Sequence, residues 1–143
     1  MSEGERQIRA LIDERIAAIK SKDAARAIAC LGDEVVAFEL APPLSISASA
    51  ARDEAGFQAW LDAFAEIAVE VRDLQIAVDG QVGFAHALHH LTGQRRDGRP
   101  VILWMRSTLC FRKEAAGWQI VHAHTSVPMK MDGSFLAAVD LQP

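Results

Sequence analysis

Five histidines are the side chains best suited to chemistry in this 143-residue chain, and they fall in two groups. His86, His89 and His90 lie within FAHALHHLT, while His122 and His124 stand two apart in IVHAHTSVP. Imidazole binds metals and moves protons near neutral pH, so the question is whether these rings can meet. Successive strand side chains alternate between faces, which puts His122 and His124 on one side. Pairing Arg112 with Trp118 across the turn from Lys113 to Gly117 sets Arg106 opposite His124 and Thr108 opposite His122. If the turn at Asp97-Gly98 is tight, Arg96 pairs with Arg99 and His89 lies beside Arg106. Strands lie ~4.8 Å apart, so His89 and His124 would stand roughly 10 Å apart with a cation between them. A zinc ion needs its ligands ~2 Å from one centre. The spacing therefore predicts no metal site, and no other cofactor is expected. It predicts instead that His122 and His124 hydrogen-bond across strands or across a subunit interface.

The elements that must position these groups are two long strands, VILWMRSTLCFR and GWQIVHAHTSVP. One face carries Trp104, Arg106, Thr108, Trp118, His122, His124 and Ser126; the other carries Leu103, Met105, Ser107, Leu109, Ala123 and Thr125. The more apolar face must be covered by helices, which places any pocket on the Leu103/Ala123/Thr125 side. The Trp/Arg/His face is left for solvent or a second subunit, and aromatics with Arg are enriched at interfaces. The tight-turn register puts His86, Leu88 and His90 on the helix-covered face and His89 outside; a one-residue slip exchanges them.

Upstream, Ser2 and Glu5 form a capping box for a helix over residues 3–20, with Ile8, Leu11, Ile12, Ile16 and Ile19 at helical spacing. Asp23 caps a second helix that Gly32 stops, and residues 34–40 read as a strand that Pro42 and Pro43 end. Residues 44–52 read as a loop. Asp53 opens a third helix whose Phe57, Trp60, Leu61 and Phe64 make an aromatic stripe. From Ile67 the period becomes two, with a parity switch that predicts a bulge near Arg72-Asp73. Asp79-Gly80 and Asp97-Gly98 mark hairpins, so strands over 67–78, 81–95, 100–112 and 117–129 form a meander. No structure is assigned to the tail.

Length bounds the chain to a single domain, residues 1–143, with half its residues hydrophobic and a formal charge of -4. No apolar run approaches the ~20 residues of a membrane span, and the negative balance argues against a nucleic-acid partner. Cys30 and Cys110 form no paired motif, which fits a reducing cytoplasm, and the acidic start lacks the apolar core of a signal peptide.

The order helix, helix, strand, proline loop, helix and meander, with R-x-T, GWQIVHAHTSVP and GDEVVAFELAPPL, resembles the nuclear transport factor two-like superfamily, in particular its SnoaL-like branch. The resemblance implies an α+β fold, a cone-shaped roll of curved antiparallel sheet wrapped around three N-terminal helices. It also implies an apolar pocket and a homodimer through the outer sheet face. In ketosteroid isomerases of this superfamily a carboxylate at the end of the first strand is the general base, and Glu39 occupies the matching position. The oxyanion donors of those enzymes match about Arg15 and Leu109, so both are replaced, and the chain contains no tyrosine. Losing one such donor costs about 100- to 1000-fold in rate, which argues against steroid isomerisation by that route. The association domain of calcium/calmodulin-dependent kinases is also similar, and its pocket residue on the last strand matches Thr125.

Two functions follow from the resemblance. The chain is either a small-molecule enzyme of isomerase, cyclase or dehydratase type working by proton transfer, or a non-catalytic module for ligand binding or dimerisation. In the first, Glu39 is the base and His90 an auxiliary acid or base, in a pocket lined by Phe38, Trp60, Phe64, His86, Met105, Ser107, Leu109 and Thr125, for a small apolar molecule. In the second, Glu39 is a solvated carboxylate at a strand end. Trp104, Arg106, Thr108, His122, His124 and Ser126 form the interface or a structural network in either case.

Overall fold

The computed structural model of the chain describes residues 1–143. Helix α1 runs Glu3–Lys20, and its N-terminus carries both bonds of the predicted capping box, Glu5 N to Ser2 Oγ at 3.2 Å and Ser2 N to Glu5 Oε2 at 3.0 Å. Its apolar stripe buries Ile8 and Ile12. Helix α2, Ala24–Ile28, is capped by Asp23, and strand β1, Leu31–Phe38, follows almost at once. The loop after the prolines contains one turn of helix, α3, Ala48–Ala51, which the Ser/Ala-rich composition had not signalled. Helix α4, Glu54–Asp62, begins at the Asp53 cap as its sequence predicts. Four long strands complete the chain: β2 Phe64–Asp79, β3 Val82–Arg95, β4 Pro100–Glu114 and β5 Gly117–Ser126.

The strands form one curved, unclosed sheet in the order β1-β5-β4-β3-β2. The meander β2 to β5 is antiparallel as expected, but β1 joins the edge parallel to β5, through Ala37↔Ala123 and Phe38↔His124. The bulge anticipated near Arg72-Asp73 is present, with Asp73 at φ 57°. The helices cover the face that carries Leu103, Met105, Leu109 and Ala123, where they build two apolar clusters. Ile8, Ile12, Val35, Phe111, Trp118 and Ile120 form the larger one; Ala24, Leu61, Phe64, Ile67 and Leu91 form the smaller.

Both hairpin registers at the far strands differ from the tight-turn expectation. At the β3–β4 turn Arg95 N donates to Arg99 O, so Arg95, not Arg96, faces Arg99 across a three-residue loop. Gly98 takes φ 92° there, the left-handed position that closes such a loop. The slip pairs His89 with Met105 and His90 with Trp104, which turns His89 inward and His86 and His90 outward. At the β4–β5 turn Lys113 pairs with Trp118, and a bulge at Val121 then restores the parity of the histidines. Trp118 consequently points into the core, 7% exposed, with its Nε1–H donating to Gln7 Oε1 at 3.0 Å. It does not share the outer face with Trp104. Arg106 lies opposite Ser126 instead of His124, and Thr108 lies opposite His124.

After β5 the tail folds back in a small loop. Ala138 N bonds Pro128 O at 2.7 Å, and Ala138 is buried.

Candidate functional site

The inner face gathers its polar groups at the end of β1. Because Phe38 pairs with His124, the chain carries Glu39 on beside Thr125, in the inward-facing parity of Ala37 and Ala123. Helix α1 faces them: Arg15 stands one turn beyond the buried Ile12, on the same side of the helix. His89 from β3 and Ser107 from β4 extend the group across the sheet, and Ser107 is only 5% exposed.

Glu39 is reachable by solvent at the rim, yet the protein around its carboxyl is dense enough that desolvation is the leading effect and raises its pKa above the ordinary glutamate value. Arg15, the Thr125 hydroxyl and His124 act in the opposite direction without cancelling it. His89 is shifted the other way: desolvation and then the Arg15 charge lower its pKa, so its imidazole is held neutral. The site thus combines one permanent cation, one carboxylate biased toward its acid form and one neutral imidazole. That combination can take a proton from a ligand, return it, and hold an anionic oxygen. Arg15 is itself anchored, with Nη1 donating to the Ala27 carbonyl of α2 and lying 3.9 Å from Cys30 Sγ.

A small cleft shares His89 and Ser107 with this group. A cavity of about 10 Å³, enough for the centre of one water molecule, lies among Ile12, Leu74, Ala87, His89, Ser107 and Leu109. A separate, solvent-open notch lies between the Gly80-Gln81 and Lys113–Ala115 turns and shares no residue with this group.

Of the residues the sequence suggested for the pocket, Glu39, Ser107, Leu109 and Thr125 are brought together on the inner face. Met105 packs against the smaller cluster. Phe64 is a core residue of that cluster at 2% exposure, and Trp60 lies over it, half out in solvent and stacked on Phe57. Phe38 is corrected to the outer face, its ring edge-on to His122 and His124 at 4.7 and 5.5 Å. His86 touches the cavity, but its ring stacks near Phe84 outside. His90 lies flat on Trp104, ring centroids 4.2 Å apart, with Glu70 Oε2 4.0 Å from its Nδ1. His90 therefore cannot assist Glu39. His89 and Arg15 are the groups that sequence reasoning placed elsewhere or set aside. The Asp97-Gly98 pair allows the register that turns His89 inward without selecting it, and the helical spacing from Ile12 puts Arg15 on the inward side of α1.

On the outer face His122 Nδ1 donates to the Val36 carbonyl at 2.7 Å, a cross-strand bond of the expected kind, and Arg106 Nε reaches Ser126 Oγ at 3.2 Å. Arg72 lies over the Trp104 ring at 5.9 Å, on the side of the sheet that also holds His90. No three His, Cys, Asp or Glu side chains stand close enough to hold a metal ion. No helix is long and apolar enough to cross a membrane.

This architecture, a curved sheet with helices on one face and polar groups at the end of the edge strand, is that of the nuclear transport factor two-like superfamily. Residues 8–130 match the model of the SnoaL-like domain, and the chain belongs to that family. An NTF2-like protein of unknown function from Pseudomonas putida KT2440 is 28% identical, with a TM-score of 0.83 over 97% of this chain and 96% of that one. An NTF2-like superfamily protein from Salmonella enterica is 21% identical over 92% of this chain and 95% of that one, TM-score 0.77. A ketosteroid isomerase-like protein from Erwinia carotovora is 18% identical over 88% and 97%, TM-score 0.70. The last two likenesses establish the fold alone. No curated protein matches the chain.

Proposed function

We propose that the protein binds a small molecule at the rim formed by Glu39, Thr125, Arg15 and His89 and transfers a proton on it, as an isomerase, cyclase or dehydratase does. The observation that supports this most is the Glu39 carboxyl, held by desolvation above its usual pKa beside a hydroxyl and within the field of a cation. A carboxyl in that condition holds its proton to higher pH, and is a stronger base once ionised, than a solvated strand-end glutamate. Glu39 takes the proton from carbon, the electron pair moves to the carbonyl oxygen, and the same carboxyl returns the proton at another carbon or at oxygen. Arg15, at about the position that the resemblance matches to the missing tyrosine, is the donor assigned to that oxygen in this reading. The test is a screen of enolisable carbonyl compounds against wild type and Glu39→Gln: turnover confined to wild type supports the reading, and equal turnover overturns it.

A non-catalytic binding module is the second reading, favoured by the small size of the cleft beside His89 and Ser107. In that case Glu39→Gln alters affinity only. For either function we propose that two copies associate through the outer sheet face, where Ile102 is 69% exposed, Phe84 49% and Phe38 38% around the Trp104 and histidine row. Light scattering reads this directly, with a dimer expected at micromolar concentration and a monomer contradicting it.

A further inference from the structure

The half-buried guanidinium of Arg15 makes no ion pair. Every ion pair in the chain lies elsewhere, between Arg6 and Glu3, Arg26 and Glu14, Arg52 and Asp33, His90 and Glu70, or Asp97 and its two arginines. Arg15 has five N–H donors, and its partners are one backbone carbonyl and one sulfur, both reached through Nη1. Glu39 is close enough to feel its field and yet not in contact with it. A half-buried cation with donors to spare, facing a solvent-reachable rim, is a receptor for an anion. The adjoining space among Ile12, His89, Ser107 and Leu109, about 10 Å³, takes no more than a water molecule, so the body of a ligand held by Arg15 stays at the rim.

We propose that the ligand is a small organic acid whose carboxylate is bound by Arg15, and that its binding is coupled to uptake of a proton at Glu39. This deepens the proton-transfer reading and rests on the same site. The coupling follows from charge: an anion on Arg15 sits near a second carboxylate, and the pair is relieved when Glu39 is protonated. The groups facing Glu39 are Arg15 from α1 and His124 and Thr125 from β5. His89 from β3 shares the Arg15 field, and Arg52, just after α3, is paired with Asp33 near the opposite end of β1. Neither His89, held neutral, nor the Arg52 pair supplies a competing cation at the rim.

Acetate is the probe, titrated into the isotopically labelled full chain and followed by NMR across a pH series from about 5.5 upward, long enough to carry Glu39 through its ionisation. The proposal expects shifts centred on Arg15, His89 and Thr125. Affinity should fall with pH by up to about tenfold per unit once Glu39 ionises. Glu39→Gln should bind acetate at the upper end of the series as tightly as wild type does at the lower, with the pH dependence gone. His124→Gln should keep that dependence. Arg15→Gln should lose binding; because Arg15 also anchors the Ala27 carbonyl, Arg15→Lys is the companion that keeps the charge, and it should retain part of the affinity. Absent binding, perturbations centred outside this rim, or equal pH dependence in wild type and Glu39→Gln would each overturn the proposal. Loss of the catalytic reading looks different: Glu39→Gln would then leave turnover unchanged while acetate still obeyed Arg15.

Discussion

His89 and His90 are neighbours in the chain and belong to different worlds. His89 looks inward from β3 across Met105, held neutral by desolvation and by the Arg15 charge. His90 looks outward, stacked on Trp104 within reach of Glu70. The same residue type is thus a candidate site group on one face and a surface aromatic partner on the other, and the choice is made at a turn several residues away. One extra loop residue at Gly98 decides it, because strand side chains have a period of two and a single-residue slip inverts every face.

The largest effect separating the faces should come from Glu39→Gln. On the proton-transfer reading it lowers turnover by about 100- to 10,000-fold, while His90→Gln on the outer face leaves turnover near wild type, as steady-state kinetics on a substrate from the carbonyl screen would show. Next is stability. Phe111 is 1% exposed at the centre of the larger cluster, so Phe111→Ala should cost about 3–5 kcal/mol in urea unfolding. Ile102→Ala on the outer face should change a monomer by no more than about 0.5 kcal/mol. A charge placed on that face, Ile102→Arg, should instead show in sedimentation as a shift from dimer to monomer, with little change in the far-UV spectrum.

The pH dependence of stability has opposite signs for the two shifted inner groups. Glu39 keeps its proton to higher pH in the folded chain than in the unfolded one, so stability falls as pH rises from the ordinary glutamate range through the raised value. His89 binds its proton less well when folded; its contribution is complete above the ordinary value of 6.5 and is lost as pH falls toward the depressed one. Glu39→Gln should therefore flatten the first slope and His89→Gln the second, in denaturant midpoints measured across pH. The smallest signal, and the sharpest on register, is a cross-strand Hα contact between His90 and Trp104 or between His89 and Met105 in NMR spectra; contact between His90 and Met105 would restore the tight-turn register.

How far the sequence was legible follows from which features are local. Ser2 and Glu5, Asp23 and Asp53 act within one helical turn, and each caps the helix its position predicts. The bulge at Arg72-Asp73 was visible because the apolar parity changes there. The Gly98 loop was not, since an Asp-Gly pair serves two- and three-residue hairpins alike and both strands are apolar enough on either face to accept either register. Trp118 was misplaced for a related reason. The bulge at Val121 reverses the parity of β5 midway, and the core then claims the large ring while the histidines stay outside. Glu39 and Thr125 came together as the resemblance implied. The helical spacing from Ile12 puts Arg15 on the inward side of α1, but its charge reaching Glu39 is a long-range feature of the fold that no local pattern encodes.

Central to the site is the Glu39 carboxyl, desolvated beside Thr125 and within the field of Arg15. Its titration by carbon-detected NMR, in wild type and in Arg15→Gln, tests that directly. The predicted result is a midpoint above that of a free glutamate, rising further when the Arg15 charge is removed; a midpoint near about 4.3 in both proteins would contradict it.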